Sequence, residues 1–292
     1  MARYASRWGE NAFTSKGGIA GAMILLHHTT NNGPRLAVKT DGGVFDAGGT
    51  TLEEVFAGTT PTQGEQLDEA SLTLAPSVPH PGKLICIGLN YRKHAEETKS
   101  AIPSAPIVFA KFHNALAASG EEVAIPAATE QADYEAELVI VIGRRARNVP
   151  ESSALDYVWG YTNGNDLSAR DLQNQSSQWV LGKTPDKFGP IGPWLVSRDE
   201  AGDLGPQPIR CLVNGQVRQE STLGDMIFGV PQLVSFLSKN FTLDPGDVIY
   251  TGTPSGVALG QPHPKPWLRP GDEVVVEIGN LGRLVNRMTE GS

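Results

Sequence analysis

Short apolar runs broken by Gly- and Pro-rich stretches set the character of this chain. Early on, "MILLHH" (23–28), "RLAVKT" (35–40) and "GVFDAG" (43–48) predict short strands, with Asp41-Gly42-Gly43 turning one into the next. Further along, "LICIG" (84–88), "PIVFAKF" (106–112), "LVIVIG" (138–143), "VIYTG" (248–252) and "EVVVEI" (273–278) predict strands again, and "RCLVNGQVRQ" (210–219) predicts a hairpin on its Asn214-Gly215 turn. Helical spacing is scarce. Short turns of helix are expected in "HAEETK" (94–99) and "ESSALDYVWGY" (151–161). One longer helix should start at Pro231, with Leu233, Val234 and Leu237 as its inward stripe. With 33 Gly and 21 Pro, turns dominate. The pattern predicts a β-rich α+β fold, a rolled or sandwiched β core with helices outside. Residues 1–16 read as irregular. "APSVPHPGK" (75–83) reads as a linker, dividing a small N-terminal domain (1–79) from a larger catalytic one (80–292).

One strand breaks the ordinary pattern. In "DYEAELVIVIG" (133–143), Asp133, Glu135 and Glu137 occupy every second position, so they share one face while Ala136, Leu138 and Ile140 take the other. A solvated face explains most alternating acids. Residues 138–142, however, are apolar on both faces, so the strand enters a core beside the acids. Carboxylates held there repel one another unless a cation lies between them, and a hard divalent ion such as Mg²⁺ or Mn²⁺ takes oxygen ligands. Two glutamates make a partial site. A third oxygen is available in "YTNGNDLSARDLQNQ" (161–175), where Asp166 reads either as a ligand or, with Ser168, as a helix cap.

Composition narrows the partners. Twenty-four basic against 32 acidic side chains give a net charge of -8, which argues against a nucleic-acid groove or an anionic membrane as the main partner. Cys86 and Cys211 are far apart and without metal-type spacing, which excludes a disulfide framework or zinc site and suits reduced, cytoplasmic thiols. The run "IAGAMILL" is too short to span a bilayer, and no cleavage pattern of a signal peptide follows it.

Several segments in order and spacing carry a resemblance: "ICIGLNYRKHAEE", "DYEAELVIVIG", "GYTNGNDLSARDLQ", "LGKTPDKFGPIGP", "VNGQVRQ", "DMIFGVPQLVSFLS" and "GDVIYTGTPSGV". Over about residues 80–288 the chain resembles the fumarylacetoacetate hydrolase family, in its FAHD1-like bacterial branch of acylpyruvate hydrolases. The resemblance implies the family's mixed β-roll, a homodimer, and Mg²⁺ or Mn²⁺ held by Glu135, Glu137 and Asp166. It implies that His94 and Glu97, three apart on a helical turn, activate water, and that Lys183 neutralises a substrate carboxylate or developing enolate. Arg170, Gln173 and Thr253 match substrate-binding positions, although Arg170 reads equally as a structural ion pair. "TGTPSG" lacks the lysine and spacing of a phosphate loop. Lys187 stands where relatives often carry threonine, and either adds charge near the pocket or points to solvent. The Pro-rich "GQPHPKPWLRPG" (260–271) shapes the pocket mouth or a dimer contact. The implied reaction is hydrolysis of the C3–C4 bond of a 2,4-diketo acid, an acylpyruvate or diketo-deoxy sugar acid, giving pyruvate and a carboxylic acid. Oxaloacetate decarboxylation and hydroxymuconate-type isomerisation use the same chemistry, since a divalent ion chelated by a 2-keto acid stabilises charge developing at C3. A dimer that binds metal without catalysis is the non-enzymatic alternative.

Overall fold

The strand Ala136–Ile142 is buried at every position, and its two faces serve different cores. Leu138, Ile140 and Ile142 pack with Ile209, Val274, Val276 and Leu284. Val139 and Val141 pack on the opposite side with Leu25, Leu36, Val38, Trp159 and Val248. A strand covered on both faces needs no polar alternation, which is why its sequence is continuously apolar from Leu138 to Ile142.

This is a computed structural model, and it describes residues 21–291. The expected irregular stretch 1–16 lies outside the described residues. Ala136–Ile142 sits inside an eleven-stranded sheet. On one side it pairs antiparallel with Val158–Asn165, which is followed by Gly189–Ser197, Ile24–Thr30, Gly33–Thr40, Gly43–Asp46 and Gln66–Leu67. On the other side come Val248–Tyr250, Leu84–Gly88 and the edge strand Ile107–Lys111. A five-stranded sheet of Gln216–Thr222, Pro208–Val213, Glu273–Ile278, Arg283–Glu290 and Glu122–Ile125 covers one face. The sheet-rich α+β class is the one the sequence predicts.

Turn and helix chemistry follow the sequence. Asn214 and Gly215 both have positive φ (51° and 76°), as a two-residue hairpin turn requires. The helix Val230–Asn240 carries Pro231 in its first turn and buries Leu233, Val234 and Leu237. Residues 151–157 form a 3₁₀ helix rather than an α-helix, and Val158 onward is strand. The proline-rich connector lies between strands that pair in a single sheet, because Ile24 and Leu25 sit opposite Val196 and Leu195. Among the described residues no helix is long and apolar enough to cross a membrane.

Candidate metal centre and active site

Strand register brings the acids together. Ala136–Ile142 and Val158–Asn165 run antiparallel with Glu137 opposite Gly164 and Ala136 opposite Asn165. Asp166, the residue after the second strand, therefore arrives beside the first. Its backbone N–H donates to the Glu135 carbonyl at 2.9 Å, and the Asn165 side chain accepts the Glu135 N–H at 2.9 Å. Ligand atoms of Glu135, Glu137 and Asp166 all lie within 4.8 Å of one another, and all three residues are buried. The solvated-face reading is thereby excluded. Asp166 is no helix cap either: the turn Arg170–Gln173 has Ala169 at its N-cap and no side-chain cap bond.

Asp133 leaves the group. It lies on Ala132–Asp133, which pairs with Ser168–Ala169. Its carboxylate accepts the N–H groups of Ala258 (2.7 Å) and Leu259 (3.1 Å) and the Arg170 Nε–H (2.8 Å).

The cations are inside as well. Arg170 Nη2 donates to Glu135 at 2.6 Å and its Nη1 to Gln173 Oε1 at 3.0 Å. Lys183 Nζ bridges Glu135 Oε2 (2.5 Å) and Asp166 Oδ2 (2.7 Å), 5.0 Å from the centre of the Phe109 ring. Burial works against both cations, but Asp166 and Glu135 keep Lys183, and Glu135 and Asp133 keep Arg170, above the ordinary lysine and arginine ranges. Glu135 likewise resists the upward push of burial, because Arg170 and Lys183 hold its carboxyl well below the usual range. Glu137 has less help. Burial, with Asp166 and Glu135 beside it, drives its carboxyl well above the ordinary value, outweighing Lys183 and the Gly252 N–H, which draw it down. It accepts the Gly252 N–H at 2.8 Å, and among the described residues it forms no ion pair. Three carboxylates with one uncompensated charge fit a hard divalent cation, the donor set being all oxygen.

The helix Arg92–Glu97 carries the expected pair. His94 is buried, and its Nδ1 stands 3.3 Å from Glu97 Oε2. Glu97 also accepts the Gly256 N–H on both oxygens (3.0 and 3.1 Å) and the Gln261 amide at 3.2 Å. A carboxylate so supplied accepts from the imidazole, so Nδ1 carries the proton and Nε2 is the free ring nitrogen. One loop links the pair to the carboxylates, since the Gly252 N–H donates to Glu137 and the Gly256 N–H, four residues on, to Glu97.

The remaining expected residues are distributed as follows. The Thr253 hydroxyl donates to the Ala136 carbonyl (2.9 Å) and accepts from Gln219 (2.8 Å), so it braces the ligand strand. Lys187 is half-exposed and pairs with Glu121 at 3.1 Å, which settles its direction as outward. The Pro-rich segment begins beside the helix of His94, through Gln261.

The sequence profile described as "Fumarylacetoacetate (FAA) hydrolase C-terminal" matches residues 83–289. The chain belongs to the fumarylacetoacetate hydrolase family. It is 52% identical over 219 residues (71% of this chain, 72% of the relative) to a fumarylacetoacetate hydrolase domain-containing protein 2 homolog of Dictyostelium discoideum. It is 41% identical over 222 residues (75% and 69%) to a mitochondrial oxaloacetate tautomerase, fahd2, of Xenopus laevis. The crystal structure of a 5-carboxymethyl-2-hydroxymuconate delta-isomerase from Mycobacterium smegmatis superposes with TM-score 0.78 at 32% identity, covering 92% of this chain and 100% of that one. These relatives carry the family and its enzymatic character. The Xenopus protein is named a tautomerase and the Mycobacterium protein an isomerase, and neither is an acylpyruvate hydrolase of the kind the motifs suggest.

Sequence reasoning passes over one buried cation of this family member. Lys111, at the end of the edge strand Ile107–Lys111, turns inward. Its Nζ lies 2.7 Å from Asp166 Oδ1 and donates to the carbonyls of Leu167 (3.0 Å), Phe188 (2.8 Å) and Lys183. The only signal was a lysine ending an apolar strand, and a charge on an edge strand ordinarily serves to block pairing.

Proposed function

We propose that this protein catalyses keto–enol tautomerisation of oxaloacetate or a closely related small 2-keto acid, with Mg²⁺ or Mn²⁺ held by Glu135, Glu137 and Asp166. The observation that carries the reading is the buried His94–Glu97 pair beside a carboxylate cluster that has one charge too many. When bound, the divalent ion supplies a Lewis acid that draws negative charge onto the 2-oxo oxygen of the substrate. Tautomerisation breaks the enol O–H bond and forms a C–H bond at C3, so one proton leaves oxygen and one arrives at carbon. The free Nε2 of His94 takes and returns that proton, while Glu97 fixes the ring. Lys183 stays protonated and serves as a fixed positive charge. The Gln173 amide nitrogen has no protein partner among the described hydrogen bonds, which supports a substrate contact there; the Thr253 backbone and Arg170 complete the proposed binding set.

A second reading, hydrolysis of a 2,4-diketo acid to pyruvate and a carboxylic acid, is favoured by the same dyad, which would deprotonate a water instead. One assay separates them. Enzyme with Mg²⁺ or Mn²⁺, and a chelator control, is given enol-oxaloacetate, acetylpyruvate and a diketo-deoxy sugar acid, with enol absorbance, pyruvate and CO₂ followed. Chelator-sensitive loss of the enol without pyruvate or CO₂ is the expected result. Pyruvate from acetylpyruvate assigns the hydrolase, and CO₂ from oxaloacetate the decarboxylase.

We propose a homodimer in the cytoplasm as the working form. Support for assembly comes from exposed apolar side chains along the edge strand and the neighbouring turn, Ile107, Val108, Phe112, Val180 and Leu181, since an apolar sheet edge left open invites pairing with another chain. Support for a reducing compartment comes from two free, buried cysteines. Sedimentation of the purified protein tests the first and fractionation of cells the second.

A further inference from the structure

The segment 256–261 touches both halves of the site. From its first residue, the Gly256 N–H reaches both oxygens of Glu97 (3.0 and 3.1 Å). From its last, the Gln261 amide reaches Glu97 Oε1 at 3.2 Å. Between them, the N–H groups of Ala258 (2.7 Å) and Leu259 (3.1 Å) hold Asp133, the partner of Arg170. The segment is itself fixed. The Tyr134 hydroxyl donates to the Gly256 carbonyl at 3.0 Å, and Lys265, from within the Pro-rich stretch, donates to the carbonyls of Leu259 and of Gln261 (2.8 Å). Contact with Glu97 is so close that a side chain at position 260 would displace it, since an added Cβ would stand 2.2 Å from the Glu97 carboxyl carbon.

The helix that carries His94 is six residues long, and its N-cap, Tyr91, makes no side-chain bond. Its first residue is tied by Arg92 Nη1 to the carbonyls of Asp225 (3.3 Å) and Met226 (3.0 Å), and its last turn is closed by the Thr98 hydroxyl on the His94 carbonyl (2.9 Å). Helices this short do not persist alone. Thr98 holds only backbone there; the Glu97 side chain that meets the His94 ring is held by the segment 256–261.

We infer that residues 256–261 form a latch for this helix, and that Gln261 is a positioning residue that acts through Glu97 to set the ring of His94. The inference rests on the proposed use of His94 in proton transfer, but the latch can be read without the reaction. Three Mg²⁺-loaded variants test it. Gln261→Ala removes the amide, Gln261→Glu sets a carboxylate against Glu97, and Gly260→Ala puts a methyl group where the Glu97 carboxyl stands. Hydrogen exchange of the amides in 92–98 should quicken several-fold in Gly260→Ala and Gln261→Glu and less in Gln261→Ala, with the sheets unaffected. The kcat should fall roughly tenfold, the scale of lost outer support for a site residue, with KM and Mg²⁺ affinity held within about twofold. Unchanged exchange at 92–98 in all three overturns the latch. A parallel loss of Mg²⁺ affinity also overturns it, because the segment would then act through Asp133 and Arg170 on the metal ligands. Faster exchange with kcat unchanged upholds the latch and removes His94 from the reaction.

Discussion

Six buried charges alternate in sign from Asp133 through Arg170, Glu135, Lys183 and Asp166 to Lys111, each within 2.8 Å of the next. A neutral ladder of this kind leaves Glu137 as the carboxylate with no cation of its own. In the metal-free protein Glu137 therefore holds its proton to higher pH than an ordinary glutamate. Binding a divalent ion requires the ionised form, so uptake should release a proton, and affinity should weaken as pH falls below that raised value. Calorimetry in buffers of different ionisation enthalpy reads the proton directly. Glu135→Ala and Asp166→Ala should abolish Mn²⁺ binding while the circular dichroism stays native; retained affinity would dismiss the ligand assignment. His94→Ala should lower turnover by about 10²–10⁴ while Mn²⁺ affinity holds. Lys111→Met leaves three buried carbonyl groups without their donor and Asp166 with Lys183 as its one remaining cation, and urea unfolding should show a loss of about 3–5 kcal/mol. The closeness of Glu135 and Glu137 was partly legible, because two glutamates in E-x-E spacing sat at the mouth of an apolar strand, but Asp166 joined them only through the resemblance. Lys111 was not legible, because a lysine that turns inward and one that turns outward look alike in a run such as "PIVFAKF".

At the scale of elements, strands with one clear apolar rhythm were read from the chain, and those with polar or Gly-Pro content were missed. Val158–Asn165 is buried throughout yet contains Thr162, Asn163 and Asn165. Its polar side chains are admitted because they are bonded, as when the Asn165 Oδ1 accepts the Glu135 N–H (2.9 Å) and the Thr162 hydroxyl accepts from Ser77 (3.2 Å). Gly189–Ser197 carries two prolines and still forms a strand between two neighbours. Close approach explains a glycine in the first of these. A Cβ on Gly160 would stand 2.0 Å from the Val196 carbonyl oxygen, a backbone atom that cannot swing away. Gly160→Ala should therefore destabilise by about 1–3 kcal/mol or more, read as a lowered urea midpoint. An unchanged midpoint would mean the two strands can part without cost.

For the molecule as a whole, the strands from Ile24 to Leu67 belong to the same sheet as the site, and their stability has its own pH signature. His27 is buried, and its Nδ1 donates to the Ser77 carbonyl at 3.0 Å. Burial lowers its imidazole from 6.5 to about 4. The unfolded chain takes up a proton near pH 6.5 that the folded one refuses until about pH 4, so this contribution is full above 6.5 and is lost as pH falls to 4. The loss amounts to roughly 3 kcal/mol at most. In His27→Gln the unfolding free energy should vary less steeply over that interval, and an identical slope would refute the assignment. The antiparallel pairing of Ala136–Ile142 with Val158–Asn165 has one more consequence. The carboxylate cluster stands at one end of this pair, and the exposed connection containing Arg145, Asn148 and Glu151 closes the other end. Some six residues of strand separate the two, about 20 Å at the usual rise. A fluorophore attached in that connection would sit on a rigid arm of known length from a bound Mn²⁺, whose unpaired electrons would report its arrival at a distance set by the protein itself.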